Sequence, residues 1–391
     1  MKKIGIIVFW FGKFPWYHNF FIDSCRRNKD IDFLFFTDNF NQQKKDLNIE
    51  QIPFSINEFN KLATSKLGFK VNVLNGLKIC DLRPAFGLIF EDFLEEYDFW
   101  GYSDTDIIFG NLSSFLDKET LNNYDFISVR DDYPSGYFAL FKNNLKMKFL
   151  FQKSKDYKQL FLRGINTLFE ECGGAYNEVC SGVNILDSSC KYETLHHILE
   201  RNKSNVKSLF EFYCIEGNVG DISVNQDKII FNDKFEIMMY HLTSYKSNIF
   251  SIIPKRLLKP PFRISKYTFH KLNFISRSIH QMRNLKINFK RYLIFQIAMS
   301  SKLNFECNVS GFRGVFEKKY VYMDEIIFFK NINNRVCLFY KSKLFVLKSI
   351  LIFKQYILFI EEKVIIQFTG SNSLFFISEI GRKKRYALAE L

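Results

Sequence analysis

Several familiar signatures are missing from this chain of 391 residues. None of its eight cysteines forms a C-x-x-C pair, and no Cys and His spacing typical of a zinc site follows. The G-x-G-x-x-G dinucleotide loop, the P-loop, the G-x-S-x-G elbow and the H-E-x-x-H zinc helix are also absent. The sequence therefore lacks the signatures of the corresponding enzyme classes. Reduced, cytosolic thiols are the favoured interpretation of the cysteines.

Long hydrophobic runs and fixed-period repeats are missing too. No apolar run approaches the length of about 20 residues that a helix needs to cross a bilayer, and no repeat predicts a solenoid or propeller. The run Ile4–Phe11 imitates a signal peptide, but Lys13 interrupts it and no small-residue cleavage site follows. The sequence predicts a buried first strand and a cytoplasmic protein that is soluble or peripheral on a membrane.

Acidic residues are absent from one stretch of the chain. Residues 237–305 carry 13 Lys and Arg and no Asp or Glu, whereas residues 1–236 carry 28 Lys and Arg against 33 Asp and Glu. A segment with only positive charge favours an anionic partner, either membrane lipid or nucleic acid. From Phe269 to Ile297 the apolar spacing is helical, which predicts a basic helix that could lie on a membrane surface.

Strands alternate with helices in the first part of the chain. Ile4–Trp10 and Asp32–Phe36 are apolar runs typical of parallel strands buried on both faces. The alternation predicts an α/β sheet covered by helices, with ligands beyond the carboxyl ends of its strands. Shorter strands are predicted at Phe99–Tyr102 and Asp125–Val129. Helices are predicted at Trp16–Arg27 and from Ser55 to about Thr64, where the sequence has a capping-box signature. A third helix is predicted at Leu82–Tyr97, with Pro84 in its first turn.

The end of the chain has a different pattern. After Glu306, short β-rich runs alternate with polar turns, which predicts a small all-β module, a sandwich or a barrel. The expected organisation is a catalytic α/β domain over residues 1–250, a basic helical segment over residues 251–305 and the β-rich module over residues 306–391.

The sharpest local feature follows the strand at Phe99–Tyr102. Asp104 and Asp106 are two carboxylates two residues apart on an irregular stretch. Such a pair can share one hard divalent cation, such as Mg²⁺ or Mn²⁺, which takes oxygen ligands and bridges diphosphate oxygens. The alternative is a solvated acidic turn.

A second feature precedes it, in the run Lys78-Ile79-Cys80-Asp81-Leu82-Arg83-Pro84. Lys78 could neutralise a phosphate, and Asp81 could accept hydrogen bonds from ribose hydroxyls. The alternative, which these residues favour when taken alone, is that Asp81 caps a helix and Arg83 is exposed.

Together these segments carry a resemblance to a known family. A strand followed by Thr37-Asp38, then Lys-x-x-Asp-x-Arg-Pro, then Phe99-Trp100-Gly101-Tyr102-Ser103-Asp104-Thr105-Asp106 resembles the GT-A-fold nucleotide-sugar glycosyltransferases. The similarity is greatest to bacterial enzymes of capsule and O-antigen polysaccharide biosynthesis, and it covers about residues 1–246. It implies a Rossmann-like mixed sheet, hexosyltransferase-like activity and Mn²⁺ or Mg²⁺ as cofactor. It also implies a UDP- or GDP-sugar donor and a glycan or lipid-linked glycan acceptor at the inner face of the cytoplasmic membrane.

The resemblance also implies roles for individual residues. Asp106 would contact the metal directly, Asp104 would contact the ribose or a metal-bound water, and His241 would complete the metal site. A satisfied core histidine is the alternative for His241. The donor-binding residues that the resemblance implies are Phe9, Trp10, Thr37, Asp38, Lys78, Asp81, Arg83 and Asp104.

An inverting transfer needs a carboxylate that takes the acceptor proton. The run Phe169-Glu170-Glu171-Cys172 matches the family, so Glu171 is the first choice for this base, and Asp131, Glu170 and Asp132 are the other candidates. A retaining transfer would need no base.

Two other classes of function stay open. The basic segment, with its interleaved aromatic residues, is compatible with a nucleic-acid-binding protein, although the acidic first part of the chain argues against nucleic acid as a partner. The β-rich module is compatible with a non-catalytic carbohydrate-binding protein, against which the intact Asp104–Asp106 pair argues.

Overall fold

The structure is a computed structural model. It describes residues 2–39, 47–217, 221–247 and 251–272, the single positions Met282 and Leu285, and ten strands between residues 306 and 387. The chain divides into two compact units, Met1–Tyr213 and Cys214–Leu391. No helix within these described residues is long and apolar enough to cross a membrane.

The first unit is built on a seven-stranded mixed sheet, in the order β3-β2-β1-β4-β7-β6-β8. Strands β1 to β4 are parallel to one another, whereas β7 runs antiparallel to both of its neighbours. The predicted α/β sheet is thereby confirmed as a mixed sheet. The strands of this unit, including a short β5 outside that order, are β1 (Ile4–Trp10), β2 (Asp32–Thr37), β3 (Ile49–Pro53), β4 (Phe99–Ser103), β5 (Ile107–Phe109), β6 (Phe126–Ser128), β7 (Phe138–Lys142) and β8 (Ser208–Phe210).

The register of the sheet brings three strand ends together. Val8 pairs with Ser103 at the end of β4, and Trp10 pairs with Thr37 at the end of β2. Because the three strands are parallel, their carboxyl ends share one edge, where ligands of such sheets bind. The segment Asp104–Asp106 begins at this edge.

Aromatic side chains fill much of the core beneath the sheet. Phe9 stacks on Phe36 with ring centroids 5.2 Å apart, and Trp100 stacks on Phe141 at 4.2 Å. Burying one such ring stabilises the fold by roughly 1.5–3 kcal/mol. Gly87 lies against this core, and a Cβ atom there would come within 2.5 Å of the Trp100 ring.

Two of the predicted helices are confirmed. The first is α1 (His18–Arg27), and the second is α2 (Ile56–Leu67), which begins with both hydrogen bonds of the Ser55–Glu58 capping box. The other helices of this unit are short: α3 (Gly76–Ile79), α4 (Phe86–Ile89), α5 (Lys118–Asn123), α6 (Leu145–Lys148), α7 (Tyr157–Leu162), α8 (Tyr176–Cys180) and α9 (Leu195–Arg201).

The predicted helix Leu82–Tyr97 is wrong. The chain instead forms a 3₁₀ segment over Cys80–Ala85, the single turn α4, and a second 3₁₀ segment over Glu91–Phe93. Pro84 has no backbone N–H to donate, and Gly87 is a weak helix former that lets the chain approach Trp100. Tertiary packing therefore overrides the helical spacing of the apolar residues.

The second unit is mostly β-structure. In its first part, β10, β11, β12, β14 and β15 form an antiparallel sheet in the order β12-β11-β10-β14-β15, and β9 pairs in parallel with β13. The elements of this part are β9 (Cys214–Glu216), β10 (Ile222–Val224), β11 (Ile229–Phe231), β12 (Phe235–Ile237), β13 (Met239–His241), α10 (Thr243–Ser247), β14 (Phe262–Ile264) and β15 (Phe269–Lys271).

The start of the predicted basic helix is wrong. Phe269–Lys271 is a strand that pairs with Phe262–Ile264, across a turn in which Ser265 N–H donates to the carbonyl of Thr268 at 2.8 Å. Pairing across this tight turn overrides the helical spacing. Met282 and Leu285 have helical backbone, and the rest of the predicted helix lies outside the described residues.

The prediction of β-rich runs after Glu306 is confirmed. Eight strands, β16 and β19 to β25, form an antiparallel sheet in chain order, and β17 pairs with β18 and β9. The predicted division into three domains stays a prediction. The ten strands of this part are β16 (Glu306–Val309), β17 (Arg313–Phe316), β18 (Lys319–Tyr322), β19 (Ile326–Lys330), β20 (Val336–Tyr340), β21 (Lys343–Phe353), β22 (Gln355–Ile360), β23 (Val364–Thr369), β24 (Leu374–Glu379) and β25 (Arg382–Ala387).

Candidate functional site

The two aspartates of the Asp-x-Asp pair lie directly after β4. Asp104 N–H donates to the carbonyl of Tyr137 at 2.9 Å, which fixes the start of the Asp104–Asp106 segment against the residue before β7. The Asp104 side chain is 34% exposed, whereas Asp106 is buried. The pair is therefore not the solvated acidic turn that was the alternative reading.

Arg83 connects this pair to a neighbouring loop. Its guanidinium donates to Oδ1 of Asp104 and to the carbonyl of Gly136, and it lies 5.0 Å from the centre of the Tyr102 ring. The Tyr102 hydroxyl in turn donates to the carbonyl of Ser135 at 2.9 Å. Arg83 is therefore held at the site. The alternative, in which Asp81 caps a helix, required Arg83 to be exposed.

Lys78 and Asp81 form a separate network that is closed to solvent. Lys78 Nζ donates to Oδ2 of Asp81 at 2.6 Å and to the carbonyl of Leu160 at 2.6 Å. Asp81 also accepts from the backbone N–H and hydroxyl of Thr167 and from the backbone N–H of Phe169. Both charged side chains are almost fully buried. In the structure this network anchors residues 167–169, and a role in donor binding stays a prediction.

The predicted donor residues of β1 and β2 lie at the carboxyl edge of the sheet. Oδ1 of Asp38 accepts from the backbone N–H of Gly12 at 2.6 Å, where a φ of +81° favours glycine. Thr37 is buried, and its Oγ1 accepts from the backbone N–H of Asn39. Trp10 Nε1 donates to the carbonyl of Lys13, while Phe9 packs in the aromatic core.

Glu171 is held by two donors that the sequence did not reveal. The backbone N–H of Gly136 donates to its Oε1 at 2.9 Å, and the Tyr176 hydroxyl donates to its Oε2. Burial and the Glu171 carboxylate raise the pKa of Tyr176, so this hydroxyl keeps its proton. A Cβ atom at position 136 would clash with the Glu171 carboxylate, so a larger residue there would displace it.

Gly136 therefore links the two halves of the candidate site. Its carbonyl accepts from Arg83, which binds Asp104, and its N–H donates to Glu171. The backbone of one residue thus connects the proposed metal side to the proposed base. The only sequence signal for it is the glycine itself, in the turn-like run Pro134-Ser135-Gly136.

The other three candidate bases differ from one another. Burial and the Asp81 carboxylate raise the pKa of Glu170 well above its usual value. Asp132 is bound by the guanidinium of Arg130 and by the thiol of Cys180. Partial desolvation and the neighbouring Asp132 raise the pKa of Asp131 to about 6. Among these three, only Asp131 combines an exposed carboxylate with a pKa suited to proton transfer near neutral pH.

Asp104 and Asp106 of the first unit each offer a carboxylate oxygen to a metal ion, and His241 of the second unit offers an imidazole nitrogen. Two carboxylate oxygens and one imidazole nitrogen are donors that divalent cations such as Mn²⁺ accept. The residues present therefore fit the predicted cofactor.

Comparison with known proteins assigns a family without a function. The family of unknown function (DUF6625) matches residues 6–273. The phospholipid-transporting ATPase DRS2 of Saccharomyces cerevisiae is 30% identical over 147 residues. That alignment covers 36% of this chain, which spans only 9% of the ATPase.

Two solved structures show a weak likeness. The glycosyltransferase GlyE of Streptococcus pneumoniae TIGR4, in its apo form, has a TM-score of 0.29 and 11% identity, with 54% of this chain and 45% of GlyE covered. The galactosyltransferase LgtC, in complex with donor and acceptor sugar analogues, has a TM-score of 0.27 and 13% identity, with 48% of this chain and 71% of LgtC covered. At TM-scores below 0.5, neither likeness establishes a shared fold or activity.

Proposed function

We propose that the chain, which belongs to the DUF6625 family, is a metal-dependent glycosyltransferase of the GT-A type. Because the function of the family is unknown, the support for this activity comes from the residues of the chain itself. The protein moves a sugar, a hexose in our proposal, from a nucleotide-diphosphate sugar to a surface-polysaccharide acceptor such as a capsule or O-antigen precursor. The observation that carries the proposal is the chain of contacts Asp104–Arg83–Gly136–Glu171 at the carboxyl edge of the sheet. It joins a candidate metal ligand to a candidate base through the backbone of one residue, Gly136.

Asp106 and His241 would hold Mn²⁺ or Mg²⁺ directly, and Asp104 would hold a metal-bound water or the donor ribose. When bound, the cation would neutralise the charge that develops on the departing nucleoside diphosphate. The Asp104 carboxylate has a fixed position for this role, because Arg83 holds one of its oxygens. A side chain that is fixed before the ligand arrives loses less entropy on binding.

The donor nucleotide would lie at the ends of β1 and β2. In this proposal Thr37 and Asp38 bind the base, and Phe9 and Trp10 form the apolar side of its pocket. The Asp38–Gly12 hydrogen bond supports the proposal, because it ties the ends of the two strands together. Lys78 and Asp81 would support this pocket by anchoring residues 167–169.

For an inverting reaction, Glu171 would take the proton from the acceptor hydroxyl. The hydrogen bonds from Gly136 and Tyr176 fix the position of its carboxylate. Asp131 is the second candidate, since its pKa of about 6 also suits a base near neutral pH. An inverting mechanism needs only one of the two carboxylates.

The acceptor would be a glycan or a lipid-linked glycan at the inner face of the cytoplasmic membrane. The stretch without acids supports this location, because its cations would be attracted to anionic lipid. Within the described residues, Lys255, Arg256, Lys259 and Lys271 of this stretch are exposed.

A thermal-shift panel of nucleotides and nucleotide sugars, with and without Mn²⁺, tests the proposal. A uridine or guanosine diphosphate at about 100 times its dissociation constant should add about 2.7 kcal/mol to the free energy of unfolding. The Asp106→Asn variant should lose the part of this shift that depends on Mn²⁺. A panel in which no nucleotide stabilises the protein, while single-stranded DNA or a free glycan does, would contradict the proposal.

A further inference from the structure

Four large aliphatic side chains of the first unit are turned towards solvent. Leu74, Leu77, Leu162 and Ile165 are 68%, 68%, 50% and 69% exposed. Single exposed aliphatic residues are ordinary, but several together mark a surface that another body covers. We refer to these four residues as the aliphatic patch.

Hydrogen bonds hold the two loops of the patch next to each other. Asn166, which follows Ile165, donates from Nδ2 to the carbonyl of Leu77 at 2.8 Å. Lys78, which follows Leu77, donates to the carbonyl of Leu160 two residues before Leu162. The side chain of Asn75, which follows Leu74, accepts from the backbone N–H of Lys78. The patch is therefore a fixed feature of the fold rather than the tip of an unanchored loop.

The charged residues within the two segments that carry the patch have one sign. Residues 69–79 and 157–169 contain Lys70, Lys78, Lys158 and Arg163 and no Asp or Glu. Lys78 is buried in its pair with Asp81, which leaves Lys70, Lys158 and Arg163 at the rim. Lys158 lies over the Phe69 ring at 5.2 Å, and Arg163 lies over the Tyr192 ring at 4.3 Å. An aliphatic centre with a basic rim is complementary to an anionic bilayer, which offers acyl chains beneath phosphate groups.

The patch borders the candidate site within the same unit. Phe11 directly follows β1. A Cβ atom placed on Gly76 would lie 3.7 Å from the ring of Phe11. Leu77 is followed by Lys78 and then by the 3₁₀ segment that carries Arg83. A surface that contacted the patch would therefore lie beside the carboxyl edge of the sheet.

We propose that the aliphatic patch inserts into the headgroup region of an anionic bilayer, with Lys70, Lys158 and Arg163 on lipid phosphates. This contact is separate from the basic stretch 237–305 and places the carboxyl edge of the first sheet at the membrane surface. It does not depend on sugar transfer, since it would hold for any activity at that edge. A lipid-linked acceptor would then meet the site without leaving the bilayer.

Insertion can be measured at the patch itself with the full-length protein. Leu77→Trp and the control Leu145→Trp place an indole at two positions that are 68% and 74% exposed, the control also lying beside lysines in α6. Vesicles of phosphatidylcholine with phosphatidylglycerol, carrying bromine on their acyl chains, should quench the added Leu77→Trp emission and shift it to the blue. The added Leu145→Trp emission should stay unchanged.

A binding measurement complements the fluorescence. The double variant Leu77→Ser/Ile165→Ser should reduce the partition onto the same vesicles by about tenfold, since insertion strength follows buried apolar area. The control Leu145→Ser should bind like the wild type. Leu77, Ile165 and Leu145 are all exposed. Thermal unfolding of the wild type, the double variant and the control should therefore show that all three proteins are equally folded.

Three outcomes would overturn the inference. The first is wild-type binding to anionic vesicles with equal quenching of both tryptophans, which would assign the contact to another part of the chain. The second is no binding to anionic vesicles at low salt. The third is a concentration-dependent dimer that Leu77→Ser/Ile165→Ser abolishes while vesicle binding is unchanged, which would assign the patch to a protein partner.

Discussion

Two ion pairs from one short motif behave differently in this protein. Lys78 pairs with Asp81, and both side chains are sealed from solvent with exposures of 1% and 0%. Arg83, two residues after Asp81, pairs with Asp104, whose side chain is 34% exposed. The first pair makes further hydrogen bonds with Leu160, Thr167 and Phe169. The second lies at the edge where strands β1, β2 and β4 end.

In the proposed function, this difference separates a pair that anchors the fold from a pair that can take part in binding. A buried pair is tolerated only when surrounding donors and acceptors satisfy both partners, and Asp81 meets this condition. A site that binds a ligand needs charge that the ligand can reach, and Asp104 meets that condition. In this account, Lys78 and Asp81 of the motif Lys-x-x-Asp-x-Arg anchor the fold, whereas Arg83 contacts the proposed metal side of the site.

The largest effect is expected from breaking the buried pair. Asp81→Ala leaves the ammonium of Lys78 buried without its partner, so the free energy of unfolding should fall by about 3–5 kcal/mol. Urea unfolding followed by circular dichroism measures this loss. The double variant Lys78→Met/Asp81→Leu should recover part of it, because both charges are then removed. Equal stability of Asp81→Ala and the wild type would show that the pair does not anchor the fold.

Glu171→Gln comes next, and it tests the far end of the contact chain. The amide keeps the shape of the side chain but cannot take a proton, so turnover of an inverting enzyme should fall by roughly 10²–10⁴-fold. Donor affinity, measured by thermal shift, should barely change. A product that retains the anomeric configuration by NMR would remove the need for a base, and with it this role.

The pH profile distinguishes the two candidate bases. A base works in its deprotonated form, so turnover that depends on Asp131 should rise through a pKa of about 6 and be lost at lower pH. In that case Asp131→Asn should abolish this limb, and Glu171→Gln should leave its position unchanged. A limb that survives in Asp131→Asn would exclude Asp131 as the base.

Asp104→Asn tests the exposed partner of the second pair. The exchange keeps the size of the side chain but removes its charge, and transfer should fall by about 10²–10³-fold, as for the loss of one group that stabilises a transition state. The free energy of unfolding should change by roughly 1 kcal/mol or less, since the pair is partly exposed. A stability loss as large as that of Asp81→Ala would erase the distinction between the two pairs.

A smaller effect is expected from Arg83→Lys. Lysine keeps the positive charge but lacks the planar fork that reaches Asp104 and Gly136 together. We expect kcat/KM to fall by about tenfold, an estimate for the loss of one charge-assisted hydrogen bond. The control Lys158→Arg changes a cation of the same unit outside the site and should leave kcat/KM as it was.

Local patterns made part of this molecule predictable. The apolar runs of β1 and β2 and the Ser55–Glu58 capping box depend on neighbouring residues, and the structure has all three. The predicted helix Leu82–Tyr97 was wrong because Gly87 packs against Trp100, a contact that spacing does not encode.

The candidate site was predictable only in part, for the same reason. The pattern Asp-x-Asp is local and visible in the sequence. The contact between Gly136 and Glu171 joins residues 35 positions apart, and a single glycine in the sequence does not predict it. The burial of Lys78 and Asp81 likewise depends on residues 160–169, which no local pattern connects to the motif.

Metal-dependent turnover of the donor tests the central claim most directly. Hydrolysis of a nucleotide sugar identified by the thermal-shift panel would be followed after EDTA treatment, with Mn²⁺ restored in steps, for the wild type and Asp106→Asn. We predict that the wild type is inactive without the cation and saturates as Mn²⁺ is added, whereas Asp106→Asn stays inactive although it is folded. Full wild-type turnover in EDTA, or an Mn²⁺ response of Asp106→Asn equal to that of the wild type, would contradict the account.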